Sequence, residues 1–262
     1  MHPLLATAVR ASRMAGNIIL KHVDQLDRID IETKGRKDYV SDVDRMAEQA
    51  IVDFIRKTYP SHAIMAEEGG YSEGSEEVTW IIDPLDGTTN FLHGFPHVAV
   101  SIGIQSKGVL EHGAIFNPFA NELFTATRGQ GAQLNDRRIR CSQTVSLDHS
   151  LLATGFPVKH IEHLDAWMRT FRGALPRCHD IRRTGAASLD LAYVAAGRLD
   201  GFWEMGISTW DMAAGALLVR EAGGLVADLN GAQNFMNEGN IVAANARLFC
   251  DLLNLIRKRL QK

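Results

Sequence analysis

The sequence predicts an α/β protein, α+β in its layering, in which helices and sheets alternate. In the first half, an amphipathic helical pattern precedes two short apolar strands. Residues 97 to 127 then alternate apolar and polar residues, as the strands of a β-meander do. After residue 187, helix patterns alternate with strand patterns. The chain has 262 residues, of which 45% are apolar and 23% charged, and it can bury a full core. We therefore expect one domain, residues 1–262, with an N-terminal α+β half, 1–145, and a C-terminal α/β half, 146–262.

The first two long elements are predicted to be amphipathic helices. The apolar residues of MHPLLATAVRASRMAGNIILKH recur at helical spacing, and Arg10 and Arg13 interrupt any apolar core of a signal sequence. In SDVDRMAEQAIVDFIRKTYP an apolar stripe follows Ser41, and Asp44 stands three residues later, as in a capping box. Asp44 is therefore expected in a first helical turn. No apolar run approaches the roughly 18 to 20 residues of a membrane span, so we expect a cytoplasmic protein without membrane contact.

Two short apolar strands are followed at once by acidic residues. HAIMAEEGG carries Glu67 and Glu68 at its end, and WIIDPLDGTTNF carries Asp83 and Asp86 around a proline. The meander of residues 97–127 comes next, so the first half is predicted to be two helices on an antiparallel-rich sheet.

The second half is predicted to alternate helices with strands. A helix from about 187 to 196 precedes the strand LDGFWEM, and the helix DMAAGALLVREAGG precedes the strand GLVADL and an Asn-Gly turn. Ser208 and Asp211 repeat the capping-box spacing at the start of the long helix. A further aspartate is therefore expected in a first helical turn.

The carboxylates form a candidate metal site. Taken singly, Asp86-Gly87 is typical of a turn, and an aspartate at a helix start is typical of a cap. Several carboxylates that follow apolar strands are expected to meet where α/β sheets build their sites. If they converge to about 4 Å, each like-charge pair costs on the order of 4 kcal/mol at an effective dielectric near 20, so a cation must offset the repulsion. Oxygen ligands without His or Cys favour magnesium or manganese over zinc.

The residues between and after the two strand-end aspartates also suit a phosphate. Pro84 fixes the backbone so that both carboxylates and the Leu85 carbonyl face one centre. Gly87, Thr88 and Thr89 supply backbone N–H groups at a predicted helix start. Cations beside amide donors indicate a phosphoryl-transfer site, in which the metals hold the phosphate and activate water.

The sequence resembles the inositol monophosphatase family, in particular its bacterial branch. WIIDPLDGTTNF is similar to the family motif DPxDGT(T/S)NF, and WDMAAGALLVREAGG is similar to WDxAAGxxLxxEAGG. MAEEGG stands where the family has GEE(S/T), and SDVD stands where it has a T-x-x-D segment. The resemblance implies an alternating α/β/α/β/α sandwich of the inositol monophosphatase and sugar phosphatase type. It also implies a homodimer that hydrolyses phosphate monoesters with magnesium and is inhibited by lithium.

The resemblance further implies that two or three magnesium ions bind at these motifs. The expected metal ligands are Glu67, Asp83, Leu85, Asp86 and Asp211. Leu85 would bind through its backbone carbonyl oxygen and the others through their carboxylates. One ion would activate the attacking water and a second would stand on the leaving-group side. Thr88 would polarise the water together with Asp44, so the expected catalytic residues are Glu67, Thr88 and Asp44.

Contacts to a small phosphorylated substrate are implied in the same way. The expected substrate-binding residues are Leu85, Asp86, Gly87, Thr88, Arg182, Gly185, Ala187, Glu204 and Asp211. Arg182 would reach the substrate or the partner subunit, or form a surface salt bridge. Ser208 stands where animal members have a histidine, and Ala186 where many members have serine or threonine. These departures leave the selectivity for myo-inositol open.

The leading prediction is a magnesium-dependent hydrolase that cleaves inositol monophosphate to inositol and phosphate. One alternative is a phosphatase of the same superfamily that acts on fructose bisphosphate, histidinol phosphate or a nucleotide bisphosphate. Another is a transcription-associated interaction protein with residual phosphatase activity, because bacterial members have been tied to ribosomal RNA transcription complexes. The basic clusters NDRRIRC and RKRL would serve such a role or are solvated faces, and the net charge of -3 argues against nucleic acid as the main ligand.

Overall fold

The computed structural model describes residues 1–28, 31–35, 38–75 and 77–260. The α-helices are α1 (Pro3–His22), α2 (Asp42–Thr58), α3 (Thr88–Leu92), α4 (Leu164–Ala174), α5 (Ala187–Ala195), α6 (Thr209–Glu221), α7 (Phe235–Glu238) and α8 (Phe249–Leu260). The strands are β1 (Ile31–Gly35), β2 (Asp38–Ser41), β3 (Ala63–Ala66), β4 (Gly70–Ser72), β5 (Val78–Asp86), β6 (Ala99–Ser106), β7 (Val109–Asn117), β8 (Glu122–Thr127), β9 (Gly131–Leu134), β10 (Arg137–Ile139), β11 (Leu151–Thr154), β12 (Asp180–Arg182), β13 (Gly201–Met205), β14 (Gly224–Ala227) and β15 (Asn240–Asn245). None of the helices in these ranges has the length and apolar character that a membrane crossing needs.

Two large sheets and three helical layers form a five-layered sandwich. The larger sheet has the strand order β10-β9-β8-β7-β6-β5-β3-β4, and the smaller one has the order β12-β11-β13-β15-β14. Helices α1 and α2 pack on the outer face of the larger sheet, and α5 and α6 lie between the two sheets. Helices α4 and α8 cover the outer face of the smaller sheet. The predicted α/β/α/β/α sandwich is confirmed.

Side chains that alternate along single strands build these layers. Trp80 and Ile82 of β5 pack against α1 and α2, whereas Ile81 between them packs in the cluster of α5 and α6. In β13, Phe202 belongs to the middle cluster and Trp203 to the outer one. Successive side chains of a strand point to opposite faces, so a strand that is apolar at every position must be covered on both sides.

One parallel strand pair brings two acidic segments to the same edge. Strands β3 and β5 run parallel, with Ala66 beside Ile82. Glu67 directly follows β3, and Asp83 directly follows Ile82 within β5. The register of β5 becomes irregular between Asp83 and Asp86, where the DPLD segment leaves the regular ladder. The acidic residues therefore gather where the apolar strands stop, as the sequence predicts.

Helices α2 and α6 begin with the predicted capping boxes. In each, the serine before the helix accepts a hydrogen bond from the third helical N–H, and the aspartate at that third position accepts the serine N–H. The two serine–aspartate pairs are Ser41 with Asp44 and Ser208 with Asp211. Both aspartates lie in a first helical turn, which confirms the prediction.

Both basic clusters lie on the surface. Arg137 and Arg138 are exposed in β10, an edge strand of the larger sheet. Arg257 and Lys258 are exposed in the last turn of α8. Charges on an edge strand block further strand pairing, and basic residues complement the dipole at a helix C-terminus. Each cluster therefore has a structural explanation.

Candidate active site

A cavity of about 560 Å³ opens where strand ends and helix starts meet. Its walls come from the ends of β3, β5 and β13, the loop 155–160, and the starts of α3, α5 and α6. The predicted site residues that line it are Glu67, Asp83, Leu85, Asp86, Gly87, Thr88, Gly185, Ala187, Glu204 and Asp211. Asp44 and Arg182 are the predicted residues that lie outside its lining.

Asp83 lies among the other carboxylates of the cavity. Its side chain is buried, and its Oδ1 accepts the backbone N–H of Leu85 at 3.0 Å. Its carboxyl group shares a hydrogen bond with that of Asp211. Burial raises the pKa of this aspartate well above its usual range, and the charges of Glu67, Asp86 and Asp211 raise it further. The group therefore holds its proton to a higher pH than an ordinary aspartate does, and a nearby cation would oppose this effect.

Strand β6 fixes the start of α6 beside this aspartate. Asp83 pairs across the ladder with Ser101, whose hydroxyl donates to the Trp210 carbonyl oxygen at 3.3 Å. The next residue, Asp211, accepts the backbone N–H of Ser208 at 2.7 Å. These contacts bring the first turn of α6, from the second half of the chain, to a strand of the first half.

Asp86 also joins the two halves of the chain. Its Oδ2 accepts the backbone N–H of Ser188 at 2.8 Å and the Ser188 hydroxyl, and Ala187 provides another backbone hydrogen bond. Both donors belong to the first turn of α5. Burial raises the pKa of Asp86 to about 7, the charge of Asp211 acts in the same direction, and the hydrogen bonds from Ser188 lower it. Ala187 thus contacts the acidic group as well as the cavity.

Asp44 is connected to the cavity through Thr88. The Thr88 hydroxyl donates to Asp44 Oδ1 at 2.9 Å, while Asp44 Oδ2 accepts the backbone N–H of Ser41 at 2.9 Å and the Ser41 hydroxyl. Asp44 is buried, and burial raises its pKa, against the opposing effect of these hydrogen bonds. The expected contact between Asp44 and Thr88 is present, and their catalytic role stays a prediction.

The chain turns sharply at Gly87, between β5 and α3. Its φ is +95°, and a Cβ there would lie 3.0 Å from the carbonyl oxygen of His97, so both the turn and the packing require glycine. Helix α3 starts at Thr88 and has only five residues. A helix of this length has only a weak dipole at its N-terminus, so any anion binding at this turn would depend on individual N–H groups.

Another wall of the cavity carries Glu204. A Cβ on Gly155 would lie 1.7 Å from Glu204 Oε1, so the glycine leaves room for the carboxyl group. Burial raises the pKa of Glu204 well above its usual range, while the charge of Arg183 lowers it. The Arg183 guanidinium lies 5.0 Å from the centre of the Phe156 ring. This wall therefore carries a buried carboxyl group with a raised pKa, a guanidinium group and an aromatic ring.

The structure places Arg183, rather than Arg182, at the cavity. The Arg182 guanidinium bonds to the carboxylate of Asp180 within the edge strand β12. Adjacent residues of an extended segment point to opposite sides, so the sequence RRTG does not distinguish the two arginines. Lys159 is also part of the lining, with its Nζ 4.0 Å from Glu67 Oε1.

Asp190 is a lining residue that the sequence analysis missed. It is 1% exposed and accepts the Thr184 hydroxyl at 2.8 Å. Burial raises its pKa to about 8, and the charge of Asp86 acts in the same direction. Asp190 stands inside the apolar run of α5, where the sequence offers only a helix signal.

The chemistry of the donor set fits a hard divalent cation. The candidate ligands are oxygen atoms, and burial and mutual repulsion raise the pKa values of Asp83 and Asp86. Within the described ranges, no three His, Cys, Asp or Glu side chains are arranged as a ready metal cage. The carboxyl groups bond to protein partners instead, Asp83 to Asp211 and Asp86 to Ser188. Magnesium and manganese are the cations that oxygen donors of this kind suit.

The layers and the cavity define a layered α/β protein with a carboxylate site at its strand ends, an arrangement suited to metal-dependent phosphate chemistry. The model of the inositol monophosphatase family matches residues 1–261. The chain belongs to this family, which is a phosphatase family.

Full-length similarity to proteins of this family supports the assignment. The Nus factor SuhB of Pseudomonas aeruginosa is 55% identical over 265 residues, which cover 99% of this chain and 98% of that protein. The crystal structure of the extragenic suppressor protein suhB from Bartonella henselae superposes with a TM-score of 0.95 at 42% identity, covering 98% of this chain and 99% of that one. The inositol monophosphatase from Anabaena superposes with a TM-score of 0.87 at 36% identity, covering 97% and 95%.

Proposed function

We propose that this protein is a magnesium-dependent phosphatase that hydrolyses inositol monophosphate to inositol and phosphate. The observation that carries the proposal is the cavity that brings Glu67, Asp83, Asp86 and Asp211 together beside Thr88. Membership of the inositol monophosphatase family supports it, and one similar solved structure is an inositol monophosphatase. The proposed location is the cytoplasm.

The acidic residues are proposed to hold two or three magnesium ions. Glu67, Asp83 and the Leu85 carbonyl would hold the first, and Asp83 with Asp86 and Asp211 would hold the second. When bound, magnesium would supply a Lewis acid for the phosphate oxygens and lower the pKa of a coordinated water. Because burial raises the pKa of Asp83 and a ligand carboxylate must be deprotonated, metal binding at this residue is expected to strengthen as the pH rises.

Thr88 and Asp44 are proposed to orient the attacking water. The Thr88 hydroxyl donates a hydrogen bond to Asp44, so the lone pairs of Thr88 Oγ1 remain available to accept a hydrogen bond from water. Glu67 stands at the same cavity and helps to position that water. The backbone N–H groups of Gly87 and Thr88 would donate to the phosphate oxygens, which bear the charge that develops in the transition state.

The substrate hydroxyls are proposed to contact Glu204, Gly185 and Ala187. Burial raises the pKa of Glu204, and in its protonated form this residue can donate a hydrogen bond to a hydroxyl as well as accept one. A phosphatase for fructose bisphosphate, histidinol phosphate or a nucleotide bisphosphate is the alternative. Ser208, which replaces the histidine of animal members, and Ala186, which replaces the serine or threonine of many members, both line the cavity. Only relative values of kcat/KM separate these substrates.

Phosphate release tests this proposal. Inositol monophosphate, fructose bisphosphate and a nucleotide bisphosphate are compared while magnesium is titrated and lithium is added, with Asp83→Asn as the inactive control. Magnesium-dependent, lithium-sensitive turnover that favours the inositol ester is the expected result. Preference for another ester would change the proposed substrate but leave the proposed metal site intact. Full activity without metal would contradict the mechanism.

We propose, as a second function, that the protein joins a transcription complex. The observation that favours it is the name of the Pseudomonas aeruginosa relative, a Nus factor. A homodimer is proposed as the assembled form, with Arg182 as a candidate contact to the partner subunit because its exposed side chain lies outside the cavity.

A pull-down separates the two functions. Wild-type protein and Asp83→Asn are used to capture partners from a lysate, and the captured transcription proteins are identified by mass spectrometry. Equal capture by both forms is expected, since the active-site aspartate is buried and cannot touch a partner. Absence of transcription proteins from both captures would contradict the second function.

The dimer contact is tested separately. Light scattering compares the molecular mass of Arg182→Ala in solution with that of the wild type.

A further inference from the structure

A buried glutamate of α2 holds the turn that carries Glu67. Glu48 Oε2 accepts the backbone N–H of Glu68 at 2.8 Å, and its Oε1 accepts that of Gly69 at 2.6 Å. Glu48 is 6% exposed. We propose that Glu48 is a positioning residue, which fixes the β3–β4 turn so that Glu67 faces the metal site. This inference rests on the proposed function in assigning Glu67 to a metal.

Glu48 accepts hydrogen bonds from two consecutive backbone N–H groups of this turn. Of the three successive N–H groups in the turn, that of Glu67 donates to the Ile82 carbonyl at 3.2 Å, and the next two donate to Glu48. Hydrogen bonds to a carboxylate are shorter and stronger than those between neutral groups. Two such bonds from one side chain to consecutive amides fix the direction of the backbone as well as its position.

The surroundings leave the turn room to move if Glu48 is removed. All three residues of β4, which follows the turn, are exposed. A cavity of about 370 Å³ lies between α2 and the β3–β4 hairpin, with Glu48 and Gly69 in its wall. Packing on this side therefore cannot replace the lost hydrogen bonds, and the two amides lose their acceptors.

Helix α2 is a firm support for this contact. Its residues Val43, Ala47 and Ile51 are buried against the larger sheet. Asp44 and Glu48 are four residues apart and share one face of the helix. The first contacts Thr88 and the second contacts the turn after Glu67, so one helix face positions two segments of the candidate site.

Manganese binding tests the inference without substrate. Isothermal titration calorimetry of Mn²⁺ into metal-free protein compares wild type, Glu48→Ala and Gln49→Ala. Gln49 is a matched control, because it is exposed on the same helix, lines the same cavity and bonds to Asp53 at 2.8 Å. Loss of a residue that orients a metal ligand typically weakens metal binding 10-fold to 100-fold, so Glu48→Ala is expected to bind at least about 10-fold more weakly. Gln49→Ala is expected to bind like wild type.

Two further measurements separate positioning from general destabilisation. Hydrogen exchange of the amides in the β3–β4 turn is expected to be faster in Glu48→Ala, while amides of β5 keep wild-type protection. Glu48→Gln retains one acceptor oxygen and is expected to recover part of the manganese affinity. At saturating metal the KM for substrate is expected to be unchanged, while the magnesium concentration needed for half-maximal kcat rises.

Wild-type manganese affinity in folded Glu48→Ala would overturn the inference. If circular dichroism shows that Glu48→Ala does not fold, Glu48→Gln is used for the same test. Wild-type manganese affinity in Glu48→Gln, together with wild-type hydrogen exchange of the turn amides, would then also overturn the inference. Failure of the proposed function has a different signature, since the wild-type protein would then bind no manganese at this site.

Discussion

The metal-free protein is expected to lose stability as the pH rises from about 5 to about 8. Asp86 is 8% exposed, and burial raises its pKa from 3.8 to about 7. A carboxyl group with a higher pKa in the folded state binds more protons there than in the unfolded state. The stabilisation is therefore fully present below pH 3.8 and is lost as the pH rises through about 7.

The linkage relation gives the size of this effect. One pKa unit corresponds to about 1.4 kcal/mol, so the whole shift amounts to about 4 kcal/mol, of which roughly 3 kcal/mol falls between about pH 5 and pH 8. In a protein of this size about 1 kcal/mol moves the melting temperature by roughly 2 to 4 °C, so Asp86 lowers it by about 6 to 12 °C. Burial lowers the pKa values of His97 and His112, which act in the opposite direction as the pH rises toward 6.5.

Thermal unfolding with EDTA, followed by circular dichroism at several pH values, measures the effect. Asp86→Asn is the control, because asparagine does not titrate and the difference between the two curves removes the contribution of the histidines. The wild-type melting temperature is expected to fall relative to that of Asp86→Asn as the pH rises. Excess magnesium is expected to abolish this fall, since it binds the ionised carboxylate. Equal pH slopes for the two proteins without metal would refute the reasoning.

Three substitutions test individual residues of the candidate site. Asp83→Asn is expected to abolish magnesium-dependent phosphate release, because it removes the carboxylate that is proposed to hold both metal ions. Thr88→Ala is expected to lower kcat by roughly 10² to 10⁴ with little change in KM, and Thr88→Ser, which keeps the hydroxyl, should retain most of the rate. Gly155→Ala places a Cβ 1.7 Å from Glu204 Oε1, so Glu204 must move. The ratio of the kcat/KM values for inositol monophosphate and fructose bisphosphate is therefore expected to change. Manganese binding measured by calorimetry is expected to stay unchanged.

The elements that the sequence predicted are those with a local signal. Helices α2 and α6 have an amphipathic or apolar run that starts at a capping serine, and β5 and β13 contain consecutive bulky apolar residues that are fully buried. Strand β12 has three half-exposed or exposed residues without alternation, so its pattern does not differ from that of a loop. It becomes a strand because β11 offers a parallel partner at the sheet edge, which is a tertiary effect.

The residues of the candidate site also fall into two groups, those with a local sequence signal and those without one. Glu67, Asp83 and Asp86 of the candidate metal site stand at or just after the ends of β3 and β5, and the parallel register of these strands makes their meeting predictable. Glu48 has no such signal, because a polar residue in an amphipathic helix is normally assigned to solvent, and its acceptor role appears only when the amides twenty residues later are placed beside it. The contact of Asp86 with Ser188 spans 102 residues and two layers. A substitution at the start of α5 is therefore expected to change the acidic site without altering any motif residue, which is why motif agreement alone does not determine the geometry of this site.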